Sequence, residues 1–413
     1  MCTIATRFFP LLLLLASPFL LAAESRDYRV DWTVALRPGV DSARITMTLE
    51  DGAPVERVNF AYESDRFSDF EVTSGELDVD DDSVRWEPGA KNATLSYRVK
   101  ITRPRANSNQ EESYDALITD TWALFRGERI TPRMRVVARN GAESDAHLRF
   151  ELPERWNVNT AWPVDPDAKE LTYLLDDPDR EFDRPRGWFM IGRLSVARGR
   201  VGADTLFSIA APLDSGVDKM GWLTLISLAW PEVEKAFGKV PAKILLVSGD
   251  DPLWRGGLSG PNSFFFHGSR RAISENGTSP LLHELSHVIT RISGDFNDDW
   301  IAEGLAEYYG IELLYRAGGY DDDQRAEILA DLAEWGLGAD KVRVRQSSGP
   351  ITARAVGIFD ALDKEVRDET NGRENLDAVT RLLMVRRRVS LADLRDAFES
   401  VTGADSRVLD DLE

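Results

Sequence analysis

The chain has 413 residues, 43% of them hydrophobic and 29% charged, and a formal charge of −20 at pH 7. That length allows two or three domains with separate cores, and the composition is that of a soluble globular protein. The acidity argues against nucleic acid and anionic membrane surfaces as partners, since both would repel it.

At the start, "MCTIATRFFPLLLLLASPFLLAAES" carries one early charge, Arg7, and then a 16-residue apolar run from Phe8 to Ala23 that contains Pro10 and Pro18. The run is short for a bilayer span and closes on small residues, so residues 1–23 read as a cleaved secretory signal. The expected location is secreted or periplasmic, with no integral membrane segment after cleavage. Cys2, the only cysteine, lies inside this segment. The mature chain is therefore expected to hold neither disulfides nor a Cys-ligated metal.

Residues 24–212 show the period-two rhythm of half-buried strands in "RITMTLED", "LSYRVKITR", "MRVVARNG", "HLRFELPE" and "LFSIAAP", separated by polar loops. They predict an N-terminal antiparallel β domain, sandwich-like. His147 falls in one of these strands and reads as structural. Near Asp218 the rhythm changes. "MGWLTLISLAWPEVEKAFG" has helical spacing, with Pro231 starting or kinking a helix and Gly238 ending it. "AKILLVSG", 242–249, is a strongly apolar strand. Residues 213–320 are read as a second domain and 321–413 as its helical C-terminal part, giving an α+β multidomain chain. Ser390 and Asp393 stand in capping-box spacing, and "VRRRV", 385–389, reads as a solvated helix end.

The chemistry concentrates in "HELSHVITRISGDFNDDWIAEGLAEYYG", 283–310. Residues four apart share a helix face, so His283 and His287 can aim their rings at one point. Ser279 and Pro280 suit the cap and first position of that helix. Glu284 projects beside a metal held by the two rings, where it can take a proton from an attacking water. One Zn2+ suits two imidazoles and a carboxylate with a position left open. The metzincin arrangement is excluded, because position 293 is Ser and position 290 is Thr. The third ligand is expected at Glu303 on a second helix capped by Asp298 or Asp299, with Asp295, Asp298 and Asp299 as rivals. Glu307, one turn on, can accept from a ligating histidine and set its tautomer.

These residues resemble the gluzincin metallopeptidases, which pair HExxH with a glutamate on the next helix. "WIAEGLAEYY" looks like the second-helix motif of the aminopeptidase N-type family and of its relative, the glycyl aminopeptidase family. Fifteen residues separate His287 from Glu303, a shorter connection than is usual in the first. "ARAVGIFDALDKEVRDETNGRENLDAVTRLL", "LRFELPERWNVNTAW" and "GWFMIGRLSVARG" are similar to parts of the glycyl aminopeptidase family. "WRGGLSGPNS" is similar to its loop ahead of the metal helix. The resemblance implies a β domain before a thermolysin-like, mainly helical catalytic domain. The PDZ domain common in that family is expected to be absent.

Two departures accompany it. Gly256 and Gly257 match the loop, but Ser259 stands where the family has the acidic residue that holds the substrate's α-amino group. Thr352 stands where an oxyanion-stabilising tyrosine is expected. His267, Arg354, Tyr308 and Tyr309 are the candidates to replace it or to touch substrate. The reading is an exported zinc peptidase acting on peptides or proteins, aminopeptidase or endopeptidase, with "AKILLVSG" as the sheet edge that pairs with substrate. The alternative is a catalytically retired zinc-binding module that holds peptides or a partner protein.

Overall fold

Alternate residues are buried along the first strand, Tyr28–Ala35, where Tyr28, Val30, Trp32 and Val34 face a core. The computed structural model describes residues 27–106, 112–177, 180–410 and 412, and the proposed signal, 1–23, lies outside them. A six-stranded sheet runs in the order 173–175, 144–151, 28–35, 43–49, 94–99 and 67–72, and a four-stranded sheet in the order 134–138, 55–61, 83–88 and 75–79. Both contribute to one apolar core with Trp32, Trp86 and Tyr97 near its middle. Pairing is antiparallel apart from 28–35 against 144–151, which run parallel. His147, buried in that pair, lies 3.1 Å from Asp145 and 3.3 Å from Asp165, away from the helical half.

A third sheet joins this unit to the next, with strand order 157–160, 188–192, 122–126, 114–118 and 103–104. Ala123, Phe125, Phe189 and Ile191 turn into the first core. Leu124, Trp188 and Met190 turn the other way, onto Leu245, Val247 and Phe265. Burial on both faces is why "WFMIG" reads as a continuous apolar run rather than an alternation.

The next sheet has the order 194–201, 205–212, 243–247, 263–266 and 257–260. The hairpin Leu194–Pro212, read from sequence as the end of the N-terminal domain, therefore belongs to this sheet. Lys243–Val247 is a central strand, not the expected edge. Its Ile244 and Leu246 pack on helices while Leu245 and Val247 pack on the third sheet, and such two-sided burial is what a run of β-branched and aliphatic residues serves. The edge is the short, glycine-bearing strand Gly257–Gly260.

Seven longer helices follow or cover this sheet: α1 (Lys219–Phe237), α2 (Pro280–Thr290), α3 (Asp299–Arg316), α4 (Asp322–Gly336), α5 (Pro350–Glu369), α6 (Leu376–Arg386) and α7 (Leu391–Thr402). Helix α1 runs through Pro231 and stops at Gly238, whose φ is +70°. Helix α7 carries the Ser390–Asp393 capping box that its spacing predicts. Helix α3 is buried around most of its circumference. Gly304 lets it close on α5, since a Cβ there would lie 2.6 Å from the Ala355 Cβ, and Trp300 stacks on Phe359 at 5.6 Å. Among the described residues no helix is long and apolar enough to cross a membrane.

Trp188 ties the β-rich half to the edge strand. Its indole N–H donates to the Leu258 carbonyl at 2.9 Å, its backbone N–H donates to Ser263 Oγ at 2.9 Å, and its ring packs on Phe265 at 5.5 Å. Trp188→Ala is expected to cost about 3–5 kcal/mol in urea denaturation, the usual range for emptying a buried aromatic site. Trp188→Phe should recover most of it and lack about 1 kcal/mol, the net worth of the missing hydrogen bond.

Candidate active site

Two helix starts set up the centre. Ser279 Oγ accepts from the Leu282 N–H at 3.2 Å at the N-cap of α2, with Pro280 at its first position. Arg291, in the left-handed region at φ +54°, ends α2 and turns the chain toward α3. His283 and His287 then share one face, with their Nε2 atoms 3.2 Å apart. Glu303 presents its carboxylate from α3, 3.5 Å from His283 Nε2 and 3.4 Å from His287 Nε2. A tetrahedral ion with ligands at about 2.0–2.1 Å holds neighbouring donors roughly 3.3–3.4 Å apart. The triangle fits a zinc ion, and among the described residues it is the one such cluster of His, Cys, Asp and Glu.

Carboxylates beside the triangle orient these donors. Glu307 Oε2 lies 2.7 Å from His283 Nδ1; by accepting the proton there it leaves Nε2 to bind metal. Burial opposes a charge on His283, but hydrogen bonds to Glu303 and Glu307 outweigh it and raise that pKa well above the usual imidazole value. Burial likewise opposes ionisation of Glu303, and the two histidines overcome it, holding that carboxyl far below its ordinary range. Burial dominates at Glu284 and pushes its carboxyl up. Three acids around two rings gather negative charge that a divalent cation can neutralise.

The cleft is bounded by the edge strand. The His267 N–H donates to the Gly256 carbonyl at 3.0 Å, and antiparallel ladders alternate, so Gly257 and Ser259 turn their N–H and C=O groups away from the sheet. Gly257 also touches the acid: a Cβ there would lie 2.5 Å from Glu284 Oε1. A cavity of about 740 Å³ opens at this point, lined by Trp254, Gly257, Arg270, His283, Glu284, Glu307 and Trp335 among others.

No protein-family model matches the sequence, and no curated protein matches it. Solved structures do. An aminopeptidase N family protein from Idiomarina loihiensis superposes with a TM-score of 0.61 at 14% identity, over 87% of this chain and 70% of that one. A glutamate-to-alanine mutant of an M1 zinc metallopeptidase from Deinococcus radiodurans, bound to Tyr-Ser-Ala, gives 0.56 at 14% identity over 91% and 90%. A two-domain M1 zinc metallopeptidase mutant bound to L-arginine gives 0.59 at 14% identity over 91% and 90%. The fold is that of the M1 zinc metallopeptidases.

Within this M1-type fold the other residues named from sequence lie in several places. Asp295 pairs with Arg388 at 2.8 Å, Asp298 accepts from Arg343 at 2.9 Å and from the Leu391 N–H at 3.0 Å, and Asp299 accepts from the Ser347 N–H at 2.7 Å. All three are engaged away from the histidines. Asp298 stands at the N-cap of α3 without a side-chain capping bond. The Tyr309 hydroxyl lies 3.0 Å from both Asp377 and Thr380 on α6, and Tyr308 is buried beside charges of α3, α4 and α5. Arg354 donates to the Ala339 and Asp340 carbonyls at 2.7 and 3.3 Å. His267 is buried against Ser269 at 2.9 Å, and burial lowers its basicity. Thr352 lies in the first turn of α5. None of these five is among the residues that line the cavity. Arg270, Trp254 and Trp335 do line it, and sequence reasoning passed over all three; the pair "RR" at 270–271, midway between edge strand and metal helix, was the available signal.

Glu307→Gln keeps the volume and loses the charge that stabilises the proton on His283 Nδ1. Zinc affinity measured by competition with a chelator is expected to fall about 10–100-fold, with one ion still bound per chain at saturation.

Proposed function

We propose that the chain is an exported zinc-dependent metallopeptidase that hydrolyses peptide bonds. The observation that carries this is the meeting, at one end of a free sheet edge, of a His283–His287–Glu303 donor triangle and the buried Glu284 carboxylate. Peptidase structures of the same fold with a peptide or an amino acid bound support it. The apolar N-terminal run supports export.

His283, His287 and Glu303 are the proposed ligands, with Glu307 fixing the His283 tautomer. Zinc bound there supplies Lewis-acid polarisation of the scissile carbonyl and stabilises the charge that develops on its oxygen. Gly257 and Ser259 offer outward backbone groups to an extended peptide, which fixes the scissile bond beside Glu284. Glu284 accepts a proton from the attacking water and returns it to the leaving amine; its burial, which pushes the carboxyl pKa up, brings it nearer the working range of a general base. Gly257 sets its position, because any side chain there would displace the carboxylate.

The retired-module reading draws on Ser259 and Thr352. Against it stands the Glu284 carboxylate, an acid kept buried in the cleft where a binding-only site has no need of a base.

Glu284→Gln is the decisive variant. Peptide cleavage followed by mass spectrometry should fall by about 10²–10⁴-fold, the usual share of a general base, with zinc content unchanged; undiminished cleavage would rule out this mechanism. Ser259→Pro removes one outward N–H while leaving the ladder intact, as edge positions tolerate proline. It should raise KM up to about tenfold, the value of a single lost hydrogen bond, without lowering the thermal midpoint.

A further inference from the structure

One charge in the cleft has no assigned task. Arg270 lies between the sheet and α2 and lines the cavity that holds Glu284, His283 and Gly257. It is half-buried, its guanidinium sits 5.4 Å from the Phe266 ring centroid, and its charge is felt at both Glu284 and Glu307. Yet Glu307 is committed to His283 at 2.7 Å. Arg271 beside it is paired outward with Glu275 at 3.1 Å. Among the described residues no carboxylate lies within ion-pairing distance of Arg270, and its side chain has no hydrogen-bond partner. A guanidinium offers five donors in a planar fork that matches a carboxylate. Burial works against the Arg270 charge and the Glu284 and Glu307 carboxylates offset that from a distance, which leaves the fork of donors open to an anion that enters the cleft.

The position of Arg270 along the cleft gives that anion a direction. The cavity borders the Gly257 and Trp254 end of the edge strand and is not lined by Ser259 or Gly260. A peptide paired parallel to Gly257–Gly260 would bring its ammonium end to the guanidinium, which repels it; paired antiparallel, it runs from Gly260 toward Gly257 and brings its carboxylate to Arg270. At the other end Ser259 offers no charge for an α-ammonium group. The cleft therefore has a cation where the leaving segment lies, and Ser259 at the other end supplies no negative charge for an amino terminus.

We infer that Arg270 anchors the substrate's carboxylate on the leaving-group side, so that short peptides with a free carboxyl terminus are shortened from that end. This rests on the peptidase reading above. The attacking water adds to the scissile carbonyl, the C–N bond breaks, and the released amine keeps the proton that Glu284 returns. Arg270 forms and breaks no covalent bond; it is a specificity residue.

The test uses the zinc-loaded chain and an N-acetylated neutral tripeptide, Ac-Ala-Ala-Ala, as free acid and as amide. A third peptide, amidated but ending in Glu, separates a terminal carboxylate from an acidic side chain. The free acid should be cleaved within its last two residues with kcat/KM about 10–100-fold above the amide, mostly through KM, as a charge-assisted pair predicts. Arg270→Met should bring that ratio close to one and Arg270→Lys should keep part of it. Preference for the Glu-ending amide over the free acid would overturn the terminal assignment. Equal cleavage of acid and amide by the native chain, or an equal slowing of both by Arg270→Met, would overturn the anchor and leave Arg270 as support for Glu284 and Glu307. Calorimetric binding of the same peptides to zinc-loaded Glu284→Gln separates the two claims. Tighter, Arg270-dependent binding of the free acid without turnover by the native chain would sustain the anchor and sink the peptidase, whereas indifference to the carboxylate would sink the anchor.

Discussion

Three carboxylates, Glu284, Glu303 and Glu307, have to sit together with two imidazoles in a half-buried space between α2 and α3. Removing such charges from water costs several kcal/mol each unless every one is paired, so this cluster dictates how closely the two helices meet. Small residues make the approach possible on both sides of α3. Gly310 brings its backbone against the start of α2, where a Cβ would stand 3.1 Å from the Ser279 carbonyl, and Gly304 lets α5 press from behind. Helix α3 is thereby clamped, and Glu303 and Glu307 have little freedom to leave. The precision of the donor triangle is a consequence of helix packing rather than of any strength in the individual side-chain contacts, which are exchangeable for water.

The sheet contributes the second constraint. Its edge strand is short and rich in glycine, and it is held by Trp188 from the β-rich half together with the packing of its own Leu258. This explains why a large N-terminal region accompanies so compact a centre. The third sheet is apolar on both faces, one serving its own core and the other fixing Leu245, Val247 and Phe265 behind the cleft. A free edge next to a charged site is useful only if it stays flat and does not recruit another chain. Four residues with two glycines offer little for such pairing, which limits the hazard that exposed edges carry.

Much of the centre was legible in sequence because its logic is local. His283 and His287 share a face by helical period alone, and Glu303 and Glu307 share another, so two short motifs specified five of the side chains that the structure brings together. The parts that were not legible depend on contacts distant in sequence. Whether "AKILLVSG" is central or at the edge is decided by which strands flank it, and an apolar run of that kind only reports burial. The hairpin Leu194–Pro212 alternates just as the earlier strands do, so its rhythm could not say which sheet it joins. Tyr308 and Tyr309 looked available because solvent-facing and buried sides of a helix are told apart by polar neighbours, and α3 is buried nearly all round. Arg270 sits in an irregular connection, where period carries no information and only the fold reveals the absence of a partner.

The choice between an active and a retired centre turns on what each would tolerate. A module that merely holds peptides needs the edge strand and gains from a neutral cleft, since a buried carboxylate repels the carbonyl groups of its guest and burial works against ionisation at Glu284. Glutamine would serve it better at the same size. Gly257 makes the same point from the backbone. Its lack of a side chain leaves the space that the Glu284 carboxylate occupies, so strand and helix are fitted to each other around that acid. Ser259 and Thr352 stand where the resemblance to the glycyl aminopeptidase family leads one to expect an amine-reading acid and an oxyanion-stabilising tyrosine. They do not touch the fit between Gly257 and Glu284, and the unpartnered Arg270 supplies a different charge on the opposite side. On the proposed peptidase reading, a buried acid, an accommodating glycine and a guanidinium with no ion-pair partner among the described residues stand in register. That combination favours a change of substrate over a loss of catalysis.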